Sequence, residues 1–185
     1  MTGINAAARL VDALESASIP YMIVGALSSS LYGIARSTYD ADFVVSAPPR
    51  DLQRFLQALD DDFIREPQLS FEMKTGTTRQ LIRVRDSSFT IELFRLSQDP
   101  FDQERFQRRV RMTLSILNRE AYVPTPEDVV IMKLQWGRSK DIEDVRGVIA
   151  VQINTLDWDY VHHWTDRHGT RQQLDEIRQS IEAQE

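Results

Sequence analysis

The chain has 185 residues, a formal net charge of -6 and a pI near 5.1, with 42% apolar and 27% charged residues. That size holds one ordinary domain, or a core with a small helical extension, and excludes two large domains. The acidic balance argues against a dedicated non-specific nucleic-acid binder. The lack of cysteine excludes disulfides, thiolate catalysis and cysteine-ligated metal and fits a cytoplasmic setting, while no run approaches the ~20 apolar residues of a membrane span.

Ala7, Leu10, Val11, Leu14 and Ala17 recur at three- and four-residue steps and predict a helix over residues 4–17 rather than a signal peptide. Tyr21 to Val24 reads as a short buried strand closed by Gly25, and Ala26 to Tyr32 as a second helix. DADFVV, Asp40 to Val45, reads as a strand that starts polar and ends buried. Pro49 then opens an amphipathic helix through Leu52, Phe55, Leu56 and Leu59. Between Phe63 and Leu96 several strands are expected. The clearest are Gln80 to Arg85 and Phe89 to Leu96, joined by a turn at Asp86-Ser87-Ser88. Met112 to Leu117 offers another strand. After Val123-Pro124 the pattern turns helical, with Thr125 as N-cap, Pro126 at the first helical position and Glu127 and Asp128 in the first turn. The expected architecture is α+β: a mixed sheet flanked by helices over residues 1–120, with a helical extension over 121–185 packed on it.

Asp40 and Asp42 carry the first chemical signal. Residues two apart on a strand share a face, so the two carboxylates project together, about 6 to 7 Å apart along the backbone. Hard divalent cations at nucleotide sites take one or two carboxylates plus phosphate oxygens. An isolated Asp-x-Asp at a strand start is usually just solvated; here a strand, a Gly25 turn and a helix precede it. That arrangement aims backbone N–H groups and a positive helix end at phosphate, with Ser28, Ser29 and Ser30 as hydroxyl donors nearby.

The stretch VGALSSSLYGIARSTYDADFVV, a hydrophobic strand, then Gly and small residues, then Asp-x-Asp, resembles the signature of the nucleotidyltransferase (DNA polymerase beta-like) superfamily. Arg36 and Thr38 just before the aspartates are similar to its small prokaryotic members of the abortive-infection toxin type. The resemblance implies a third carboxylate on a neighbouring strand, and Glu92 in FTIELF is the candidate, with Ile91 and Leu93 on the opposite face. TPEDVVIMKLQWGRSKDIEDV resembles a later segment of the same proteins and places Lys133, Arg138, Lys140, Asp141 and Asp144 at its charged positions. Lys133 and Arg138 suit phosphate as a point charge and a planar fork, with Asp141 positioning one of them.

The resemblance thus implies Mg2+ or Mn2+ on Asp40, Asp42 and Glu92. It implies a nucleoside triphosphate such as ATP near Gly25, Ala26, Ser28, Ser29, Arg36, Thr38, Lys133, Arg138 and Asp141. The expected reaction is transfer of a nucleoside monophosphate to a hydroxyl on a tRNA end, a protein or a small molecule. One departure is Ala26, which stands where the family has Gly or Ser. It motivates the alternative of a degenerate binding module or a toxin–antitoxin component with a partner protein. His162, His163 and His168 share their stretch with Trp158, Val161 and Trp164 and read as packing residues. Arg105, Arg108, Arg109 and Arg111 form the one dense basic run, expected as an exposed face, with an RNA backbone or an acidic partner surface as the functional option.

Overall fold

A computed structural model describes residues 3–182; of the helical extension expected over 121–185, residues 183–185 lie outside it. The chain opens with helix α1 (Gly3–Ser16), strand β1 (Tyr21–Val24), helix α2 (Gly25–Tyr32), strand β2 (Asp40–Val45) and helix α3 (Pro49–Ala58). Three strands follow, β3 (Phe63–Glu72), β4 (Thr77–Val84) and β5 (Thr90–Arg95), then helix α4 (Pro100–Arg108) and the hairpin β6 (Val110–Leu114) and β7 (Arg119–Val123). Helices α5 (Pro126–Trp136), α6 (Ser139–Gln152), α7 (Trp158–His168) and α8 (Arg171–Glu182) complete it.

The local chemistry accounts for most boundaries. The α1 stripe Ala7, Leu10, Val11 and Leu14 is buried, and Pro20 follows the helix end. Thr125 caps α5 by accepting from the Asp128 N–H, with Pro126 in the first turn, and Gly137 in the left-handed conformation ends the helix. Asp99 caps α4 by accepting from the Phe101 and Asp102 N–H groups. No described helix is long and apolar enough to cross a membrane.

Five strands form one sheet in the order β1-β2-β5-β4-β3, with β2 and β5 parallel and the other pairs antiparallel. Its two faces have different fates. On one, Ala41, Phe43 and Val45 of β2 lie beside Ile91 and Leu93 of β5 and join the main core, which runs continuously from Ala6 to Ile177. The other face carries Asp40, Asp42 and Val44 next to Glu92 and Phe94. Only its far end is covered, where Phe106 of α4 packs on Met22 and Val44. The near end of that face stays open, and the charged residues stand there.

Three elements differ from the sequence expectation. α4 has no apolar stripe because half of its buried face is the ion pair Arg105–Asp102. The basic run is accordingly not one exposed face: Arg105 is buried, Arg108 stacks on Tyr160 and Arg109 lies over Phe106, and of the four only Arg111 is exposed. β3 is longer than its apolar content signals, since most of it faces solvent at the sheet edge. The strand expected at Met112 to Leu117 begins at Val110 and ends at Leu114, where a turn with Asn118 at positive φ leads into β7. The histidines pack: His168 lies against Phe101 and Trp164, and His162 against Trp158.

Candidate active site

The open sheet face is the floor of a cleft of about 200 Å³ lined by Gly25, Ala26, Asp40, Asp42 and Glu92, among others. α2 starts at one wall, α5 and the start of α6 supply Lys133, Arg138 and Lys140, and the β3–β4 hairpin supplies Glu72, Thr75 and Thr77. The Lys74 ammonium reaches the Gln135 carbonyl at 3.4 Å, so the hairpin tip meets the end of α5 at the rim.

Register brings the three carboxylates onto this floor. Asp42 sits directly opposite Glu92 across the β2–β5 ladder, and Asp40 is two residues back on the same face. Crowding acids in a partly buried place favours the protonated form. Burial, then the neighbouring charges of Asp40 and Glu92, push the Asp42 carboxyl up to about 7 against the opposing pull of Lys133 and Lys140. The Thr38 hydroxyl donates to Asp40 Oδ1 at 2.5 Å. Arg79 Nη1 lies 3.2 Å from both oxygens of Glu92 and holds that side chain. Among the described residues no three acidic or histidine groups are yet gathered tightly enough to cage an ion, and recruiting Glu92 as a third ligand would mean loosening its Arg79 contact.

Gly25 is fixed by geometry. It has φ +70, and a Cβ built on it would stand 2.0 Å from Asp42 Oδ2. Only glycine lets the β1–α2 turn approach the carboxylate so closely. No side chain caps α2, which leaves first-turn N–H groups free for an anion. Ser28 and Ser29 do not add to that cradle. Both are buried, their hydroxyls donate to the Gly25 and Ala26 carbonyls at 3.0 and 3.2 Å, and neither lines the cleft.

The opposite wall is a buried ionic chain. The Lys133 ammonium lies 3.0 Å from Asp141 and 2.8 Å from Asp144. Arg138 Nε donates to Asp141 at 2.6 Å, and Arg36 Nε donates to Asp144 at 2.9 Å. Burial alone would raise both aspartates, yet the hydrogen bonds from Arg138, Arg36 and Lys133 outweigh it and hold them below the usual carboxylate range. Asp141 thus positions Lys133 and Arg138 together, and Arg138 also lies over the Trp136 ring at 4.9 Å. The cleft also contains Arg79, Arg105, Thr75 and Trp136, which sequence reasoning missed. Their membership follows from cross-strand register and chain return, which no local motif signals.

A family model described as "Nucleotidyltransferase of unknown function (DUF6036)" matches residues 1–182. The chain belongs to this nucleotidyltransferase family. The fold agrees: an antigenic nucleotidyltransferase-like protein from Paracoccidioides brasiliensis superposes with TM-score 0.60 at 19% identity, over 97% of this chain and 92% of that one. ANT(2")-Ia, solved in complex with adenylyl-2"-tobramycin, gives TM-score 0.59 at 15% identity over 91% of this chain and 97% of that one. The lincosamide antibiotic adenylyltransferase LnuA, solved with lincomycin bound, gives TM-score 0.50 at 13% identity over 76% and 94% of the two chains. A comparison with curated proteins gave no significant match.

Proposed function

We propose that this nucleotidyltransferase moves a nucleoside monophosphate from a nucleoside triphosphate to an acceptor hydroxyl, with Asp40, Asp42 and Glu92 holding magnesium or manganese. The observation that carries this reading is the placement of Asp42, opposite Glu92 in register and against the Gly25 turn. The donor set fits a hard cation. It is all carboxylate oxygen. Burial, and after it the repulsion from Asp40 and Glu92, raise the proton affinity of Asp42, and a divalent charge offsets both. A cation bound there supplies charge neutralisation for the triphosphate and lowers the pKa of the acceptor hydroxyl.

The chain's own residues do the rest. The uncapped α2 N-terminus at Gly25 and Ala26 receives phosphate oxygens. The acceptor oxygen attacks the α-phosphorus, its proton passes to Glu92, and the bond to pyrophosphate breaks. Lys133 and Arg138, pre-positioned by Asp141, neutralise charge growing on the leaving pyrophosphate. ATP is the first donor to test, since two structural relatives are linked to adenylyl transfer by their descriptions. The tRNA, protein and small-molecule acceptors are separated by assay: each is incubated with labelled triphosphates and magnesium. Label transfer to an acceptor supports the reading, and its absence for every donor and acceptor class counts against it.

A second reading, a binding-only member of the family acting with a partner protein, is favoured by the Arg79 hold on Glu92 and by Ala26 in the phosphate turn. Calorimetry with each triphosphate and magnesium separates the two, because a degenerate site gives neither metal-dependent heat nor nucleotide preference.

A further inference from the structure

The cleft has a second half that the nucleotide scheme leaves unused, between α4 and the β3–β4 hairpin. Arg105, 5% exposed, lines it. Its Nε donates to Asp102 at 2.7 Å, and among the described residues its two Nη groups have no hydrogen-bond partner. The Asp102 carboxylate is also occupied by the Ser97 hydroxyl. The Thr75 hydroxyl lines the same half and is buried without a partner. Arg79, on the same sheet face, spends Nη1 on Glu92, and among the described residues its Nη2 and Nε have no hydrogen-bond partner. Two guanidinium forks with free nitrogens and one buried hydroxyl without a partner thus face the cleft. A buried hydroxyl left unpaired is costly, and the open forks offer charge-assisted hydrogen bonds, so the arrangement favours an acceptor-rich, negatively charged guest.

We infer that this half of the cleft binds an anionic group, a phosphate or carboxylate, on the acceptor molecule. The subsite stands on the unpartnered donors; its role for an acceptor rests on the nucleotidyltransferase reading above. Guanidinium forks match planar or tetrahedral oxyanions bidentately, and the threonine hydroxyl adds a third donor. The acids beside these donors are already engaged, Glu92 by Arg79 and Asp102 by Arg105 and Ser97, and Arg95 adds a further cation to the lining, so an anion is favoured over a polycation. With α4 closing one end and the hairpin meeting α5 at the rim, the space suits a small hydroxylated molecule rather than a polymer. The donor nucleotide keeps the α2, α5 and α6 side.

The test uses this whole chain without nucleotide or metal and titrates inorganic phosphate, then glycerol 3-phosphate against glycerol, by NMR. The expected result is binding of the phosphorylated compounds near ~1 mM, with shifts of the Arg105 Nε–H and the Thr75 amide, and no binding of glycerol. Thr75→Val, at a partly exposed turn, should weaken this at least about threefold, and Arg105→Lys about tenfold with the circular dichroism spectrum unchanged. Should Arg105→Lys fail to fold, Thr75→Val and the shifts decide. Shifts confined to Lys133 and Arg138, equal response to glycerol, or unchanged affinity in Thr75→Val overturns the subsite. A transfer assay then separates the claims. Anion binding with no transfer to any acceptor counts against the enzyme reading and leaves the subsite standing. Transfer that favours an aminoglycoside over glycerol 3-phosphate overturns the anionic acceptor alone.

Discussion

Replacing Gly25 by alanine tests the steric logic of the site. Two costs combine. The backbone is held at φ +70, where a non-glycine residue is disfavoured by roughly 1 to 2 kcal/mol. The new Cβ would also stand 2.0 Å from Asp42 Oδ2, so the carboxylate or the turn would have to retreat by about 1 Å or more to restore ordinary contact. Most of the second cost is removed when Asp42 is itself alanine, which leaves only the Asp42 Cβ at 3.2 Å. In a double-mutant cycle by chemical denaturation, Gly25→Ala should therefore cost about 2 to 4 kcal/mol in the native background and about 1 to 2 kcal/mol in the Asp42→Ala background. The coupling is then at least about 1 kcal/mol. A misplacement of that size at a reacting centre lowers turnover by about a hundredfold, read by release of pyrophosphate. Additive effects, with turnover retained in Gly25→Ala, would show that the turn and the carboxylate are not in the contact described.

Two further perturbations follow from the charges. Asp42 keeps its proton up to about 7 in the folded chain, against ~3.9 for an unfolded aspartate, so the folded state binds more protons between those values and stability falls as pH rises through that window. The full linkage is at most about 4 kcal/mol. Asp42→Asn should flatten this slope in metal-free thermal melts, and parallel curves for the two proteins would refute it. Lys133→Met leaves Asp141 and Asp144, with side chains 0% and 4% exposed, short of a cation. The expected loss is about 3 kcal/mol in denaturant unfolding, and a change under about 1 kcal/mol would contradict the buried ionic chain.

Much of the site can be read in the linear chain because its parts obey short periods. Asp40 and Asp42 share a face by strand alternation, Glu92 stands out between Ile91 and Leu93, and Thr125 with Pro126 marks the start of α5. What the sequence hides depends on distant partners. Arg79 meets Glu92 only because β4 pairs with β5, and Arg105 is buried by an ion pair that breaks the apolar pattern of α4. Ser28 and Ser29 look like phosphate donors in a row, but in the first turns of a helix a serine hydroxyl readily bonds the carbonyl one turn back. β3 escapes clean delimitation because an edge strand facing water lacks the alternation that marks a half-buried one.

In the proposed transfer, Asp42 and Asp40 act beside Glu92 with a divalent cation. The most direct measurement is release of pyrophosphate from labelled triphosphate with magnesium, compared between the native chain and a folded Asp42→Ala variant. Magnesium-dependent transfer should fall by at least about a thousandfold in the variant. Equal transfer by both proteins, or transfer indifferent to magnesium and manganese, would contradict it.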